Sequence, residues 1–209
     1  MPVLVEVRLD APTMRRAMAL LGGVPAGLYR IVPRAINKIG VMARTRTLAM
    51  VTEQISIKKK DLRDKNIRLH RASRDNWAAT LNVSGNRIPI SKFSPSQVRR
   101  GVTYRIRRAG GRVLLPGAFM ATMPSGHTIA AVRARGWTMR FPRGRKTGVK
   151  HGLPLYEPLG PSIPEVVRTA EEFASGQFQD VVAEKLSREV LVQVDVLLGQ
   201  QAAARGRAG

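Results

Sequence analysis

A chain of 209 residues that is 44% hydrophobic can bury a real core, as one domain or as one domain with a long arm. Its formal charge is +22 and unevenly held: from His151 onward eight acids meet five Lys/Arg, a net of −3, which leaves +25 on residues 1–150. The lack of cysteine excludes disulfides and thiolate metal sites, and no run of ~18 apolar residues exists to span a membrane.

The opening MPVLVEVRLDAP lacks the basic n-region and long apolar core of a signal peptide, so the expected compartment is the cytosol or something assembled there. Within it, Val3, Val5, Val7 and Leu9 alternate with Leu4, Glu6 and Arg8, the pattern of a first strand. Asp10 is placed to cap a short helix with Met14, Ala17, Met18 and Leu21 on one face, ended by Gly22-Gly23. A long helix follows from about Pro25 to Gln54, with Leu28, Ile31, Val32, Ala35, Ile36, Ile39 and Met42 at helical spacing. Arg30, Arg34, Lys38, Arg44 and Arg46 lie on its other side, and Pro33 predicts a kink or restart.

The segment SIKKKDLRDKNIRLHRAS, Ser56 to Ser73, is the most concentrated run of positive charge. Asp61 with Lys65 and Asp64 with Arg68 stand at i,i+4, which predicts a short charged helix over 57–65. Ile67, Leu69 and Arg71 alternate beyond it as a strand, Ser73–Asn76 is turn chemistry, and Trp77, Ala79, Leu81 and Val83 form a strand pairing back. Further strands are expected at 103–108, 112–115, 118–123 and 127–133, with turns at Gly110-Gly111 and Pro124-Ser125-Gly126. The Arg-, Lys- and Gly-rich stretch at about 135–152 reads as a loop or arm. Ser162-Ile-Pro-Glu165 has the capping-box pattern and opens a helix to about residue 204, with Val166, Ala170, Phe173, Val181, Leu186, Val190, Val194 and Leu197 along it. The expected fold is α+β: two long helices on a mainly antiparallel sheet, in a single domain of 1–209.

A catalytic constellation is missing from the pattern. His70, His127 and His151 are scattered, and Asp61 and Asp64 are embedded among lysines at the spacing of intrahelical pairs rather than of a metal site. No cofactor or metal is implied, and a metal-dependent nuclease is disfavoured. What remains is binding. Lys and Arg gain affinity for a polyanion by displacing condensed counterions, so nucleic acid is the first partner to consider. The positives are spread over helix, strand and loop, which suits contact with phosphates and shape rather than base edges. Aromatic residues make up 5% of the chain, too few for a stacking platform on single strands.

Four blocks carry a family likeness: IKKKDLRDKNIRLHRAS, NWAATLNVSGNRIPISKF, LLPGAFMATMPSGHTIAAVRARG and LPLYEPLGPSIPEVV. In this order and spacing, over about residues 55–93 and 114–168, the chain resembles the minor tail protein Z (tail completion) family of long-tailed phages and prophages. The 135–150 arm is longer and more arginine-rich than that pattern, and the 94–101 loop SPSQVRRG is not distinctive of it.

The resemblance implies a non-enzymatic virion protein, assembled in the host cytoplasm, that forms a homo-oligomeric ring, a hexamer like the tail tube, at the head-proximal end of the tail. Its partners would be the tail terminator, the tail tube and tape-measure proteins, the head–tail connector, and duplex DNA without sequence specificity. It has no membrane partner. The residues expected to face DNA or a partner are Lys58, Lys59, Lys60, Arg63, Lys65, Arg68, Arg71, Arg74, Arg140, Arg143, Arg145 and Lys146. For any one of these a plain solvated face is an equal account, whereas the cluster as a whole favours function. PGAF at 116–119 and GPSIPE at 160–165 read as strand entry and helix start. The alternative function is a sequence-independent, basic nucleic-acid-binding protein outside a virion.

Overall fold

The computed structural model describes residues 2–22, 27–62, 66–133 and 155–206. In chain order these form β1 (Val3–Arg8), α1 (Ala11–Leu20), α2 (Gly27–Gln54), β2 (Ile67–His70), β3 (Ala78–Val83), β4 (Arg87–Pro89), β5 (Ser96–Val98), β6 (Gly101–Tyr104), β7 (Val113–Pro116), β8 (Phe119–Thr122), β9 (Thr128–Arg133), β10 (Leu155–Tyr156), β11 (Leu159–Ser162), α3 (Ile163–Thr169), α4 (Glu171–Ala174) and α5 (Gln177–Gly206). The fold is α+β, and every strand pairing is antiparallel. The chain gathers into two compact units.

The first unit comprises residues 1–51, 62–85 and 163–209. Its sheet has the order β1-β3-β2, with Val5 opposite Leu81 and Leu69 opposite Leu81. Period-2 alternation puts Val3, Val5, Val7, Ala79, Leu81, Val83 and Ile67 into the core, and leaves Leu4, Glu6, Arg8, Arg68 and His70 exposed. Helix α2 covers the buried side with Ile31, Val32, Ala35, Ile36 and Ile39. Gly40 sets the distance: a Cβ there would lie 3.0 Å from Leu69 Cδ1 and 3.6 Å from Ala79 Cβ, so the helix backbone approaches the sheet closely.

Helix α2 runs on through Pro33 with no restart there. A proline inside a helix costs about 3 kcal/mol, from the lost hydrogen bond together with the clash of its ring with the preceding turn. Four buried side chains flanking it, Ile31, Val32, Ala35 and Ile36, hold both turns to the core, the larger ones contributing about 1.5–3 kcal/mol each. Asp10 caps α1 as its position predicts, accepting a hydrogen bond from Thr13 N at 3.3 Å. Met18, expected inside, is exposed, while Ala17 and Leu21 are buried.

The single C-terminal helix expected over 163–204 is broken into α3, α4 and α5. Gly176 causes the last break, with φ of +79° in the left-handed region that ends helices. The interruption resets the helical phase, so Phe178, Val182, Leu186, Val190 and Val194 are buried and Val181 is exposed.

The second unit comprises residues 52–61 and 86–162. It contains the sheets β5-β6-β7 and β10-β9-β8 and the pair β11-β4. Ile90, Val102, Ala118 and Ala130 form its core, with Tyr104, Leu115, Met120 and Val132 packed against them. Gln97 bonds across it: its Nε2 donates to Gly101 O at 2.9 Å and its Oε1 accepts from Met120 N at 2.7 Å. At Gly101, φ is +153° and a Cβ would lie 2.1 Å from the Leu115 carbonyl oxygen, so only glycine fits. Phe93 is wholly buried against Gly160, where a Cβ would come within 2.7 Å of its ring.

Candidate nucleic-acid interface

In the described part of the charged helix expected over 57–65, residues 57–62, a short 3-10 turn spans Lys59–Leu62. Arg68 lies on β2, the strand expected beyond that helix. Asp61 is taken up by Lys92, whose Nζ donates to its Oδ1 at 3.0 Å. The local cause is two flanking apolar anchors, Ile57 and Leu62, both buried. Their burial leaves Lys58, Lys59 and Lys60 exposed between them, with no ion pair among the described residues.

The expected basic residues fall into both units. Lys58, Lys59 and Lys60 belong to the second. Arg68, Arg71 and Arg74 belong to the first, all exposed, Arg68 on β2 and the others in the segment after it. There an open groove of about 340 Å³ is lined by Val41, Arg44, Ile67, Arg68, Leu69, His70 and Arg71. Arg44 Nε donates to Ile67 O at 3.2 Å across it, and Trp77 Nε1 donates to Arg74 O at 2.9 Å. Arg63, Lys65, Arg140, Arg143, Arg145 and Lys146, with the 135–152 arm, lie outside the described residues.

Charge differs sharply between the units. The second holds eighteen Lys/Arg and three acids, a net of +15, and the first eighteen Lys/Arg and eleven acids, a net of +7. Two of the three acids in the second unit are committed within it. Asp61 pairs with Lys92, and Glu157 Oε1 accepts from Ser91 N at 3.1 Å and Ala130 N at 3.4 Å. In the first unit, Glu6, Glu172, Glu184 and Glu189 pair with Arg8, Arg46, Arg188 and Lys38.

Sequence reasoning passed over Arg99, Arg100, Arg105, Arg107 and Arg108, all exposed and without an ion pair among the described residues. A signal for them was present. From Asn76 to Tyr156 the chain has fifteen Lys/Arg and no Asp or Glu. No group of three or more His, Cys, Asp or Glu that could hold a metal ion exists among the described residues. Comparison with protein-family models, with curated proteins and with solved structures finds no match.

Proposed function

We propose that the chain is a structural protein of a long phage tail, a tail-completion subunit that closes into a ring, a hexamer, at the head-proximal end. In this reading it performs no bond-making. It contacts the tail terminator, the tube and tape-measure proteins and the connector, and borders the path of the DNA. The observation that carries it is Lys58-Lys59-Lys60, exposed and without an ion pair among the described residues, inside the block on which the family resemblance rests. A ring whose bore meets duplex DNA needs diffuse positive charge, because phosphate contacts position a duplex without reading its sequence.

The charge of the second unit also favours a second reading, a basic nucleic-acid-binding protein outside a virion. Oligomeric state separates the two. Imaging of the purified chain should show closed rings of subunits, whereas a stable monomer that coats DNA supports the second reading. Replacing Lys58, Lys59 and Lys60 with Glu should leave the melting temperature within a few degrees of the parent, since all three are exposed, while lowering particle titre several-fold or more. Unchanged titre would count against this cluster.

A further inference from the structure

Three stretches far apart in sequence are tied together by backbone hydrogen bonds in the second unit. Ser56 N donates to Ile106 O at 2.7 Å, Arg108 N donates to Gln54 O at 2.9 Å, and Ile55 bridges Arg107 antiparallel. Arg105 N donates to Phe93 O at 3.1 Å, and the neighbouring Lys92 reaches Asp61. The pairing buries Ile55 and Ile57 and leaves Arg105, Arg107 and Arg108 exposed beside a segment that continues into Lys58, Lys59 and Lys60. The pairing thus sets the stretch that carries Arg105, Arg107 and Arg108 beside the one that runs on into Lys58, Lys59 and Lys60. Asp61 there is already neutralised by Lys92, and Glu53 is the other acid that the second unit's 52–61 segment holds.

We infer that Arg105, Arg107, Arg108, Lys58, Lys59 and Lys60 form one strip that binds the phosphate backbone of duplex nucleic acid. This deepens the tail-completion reading and rests on it for its setting, but it names a surface that the resemblance does not. Its chemistry selects the ligand. Guanidinium groups match phosphate oxygens in a planar, two-pronged fashion, and no exposed aromatic ring lies among the six to anchor a protein partner or stack a base. A surface that works by charge alone favours the ligand of highest charge density. Duplex DNA carries one charge per ~1.7 Å of axis.

The test is equilibrium binding of the full chain to a mixed-sequence DNA duplex over a salt series. Each lost phosphate contact lowers the slope of log K against log salt by roughly 0.9, so Arg105→Gln/Arg107→Gln/Arg108→Gln should lower it by about 2.7 and weaken binding on the order of a hundredfold at about 0.1 M salt. Lys58→Gln/Lys59→Gln/Lys60→Gln should act alike. The Arg→Lys triple at 105, 107 and 108 should keep the parent slope. Arg15→Gln/Arg16→Gln/Arg30→Gln removes equal charge from exposed positions of the first unit and should change the slope far less. Equal losses in that control, or unchanged binding in both strip variants, would overturn the strip. So would polyglutamate bound as tightly as the duplex. Rings that bind no duplex sink the strip and leave the tail reading standing; a monomer with the full strip response does the reverse.

Discussion

Glu189 on α5 shows how one residue carries both charge and packing. Burial would raise its carboxyl, but hydrogen bonds from Lys38 at 2.7 Å and Gln193 at 2.9 Å outweigh that and hold it below the ordinary 4.5. Asp10 is likewise lowered, first by hydrogen bonding from Thr13 and also by Ser187, which donates to its Oδ1 at 3.2 Å. A depressed carboxylate adds stability that is present above its unfolded value and is lost as pH falls through the folded one. Glu189 therefore makes the fold weaken as pH falls below 4.5, and Asp10 as it falls below 3.8. Because Lys38 is 64% exposed, its pair with Glu189 is discounted to about 1 kcal/mol. Glu189→Gln should lower the melting temperature at pH 7 by about 2–4 °C. That gap should narrow as pH falls below 4.5 and the parent carboxyl takes up its proton; a constant gap would mean that shape, not charge, is what Glu189 supplies.

At the scale of elements, the readable parts were those with strict local periodicity. β1, the β2–β3 hairpin, the Asp10 cap and α2 all follow from alternation, helical spacing or cap chemistry. The turn at Pro124-Ser125-Gly126 was equally plain, closing with Gly126 N on Met123 O at 2.8 Å. Elements made by distant partners were not. β4 pairs with β11 some seventy residues later, and 105–108 leaves the expected strand to join 54–56; no local pattern encodes either match. The same limit hid Arg105, Arg107 and Arg108, whose nearness to Lys58–Lys60 exists only through that pairing. The C-terminal helix failed for a different reason, because apolar spacing was followed across Gly176 as though the phase continued. Two substitutions separate the phases. Leu186→Ala, in the core, should cost about 2–5 kcal/mol in chemical denaturation. Val181→Ala, 46% exposed, should stay within about 0.5 kcal/mol. Equal costs would restore the uninterrupted helix.

At the scale of the molecule, the charge of +22 works against the compact state, since like charges held together repel. The two units feel this unequally, at +15 and +7, and four acids of the first, Glu6, Glu172, Glu184 and Glu189, pair with its own cations. Screening length falls from about 10 Å at 0.1 M salt to about 3 Å at 1 M, which weakens repulsion and exposed ion pairs together. In the second unit repulsion must dominate, because three acids cannot offset eighteen cations. The melting temperature should therefore rise by several degrees as sodium chloride increases over that range. Hydrogen exchange should place the larger gain in β6 and β7 and the smaller in β1 and β3. A duplex bound along the strip supplies the same neutralisation at low salt, and a ligand held only by the native state adds stability as its concentration passes its dissociation constant. Duplex and salt should thus protect the same strands, each adding less in the presence of the other. Protection by duplex confined to the first unit would show that the surplus charge of the second is not where the polyanion sits.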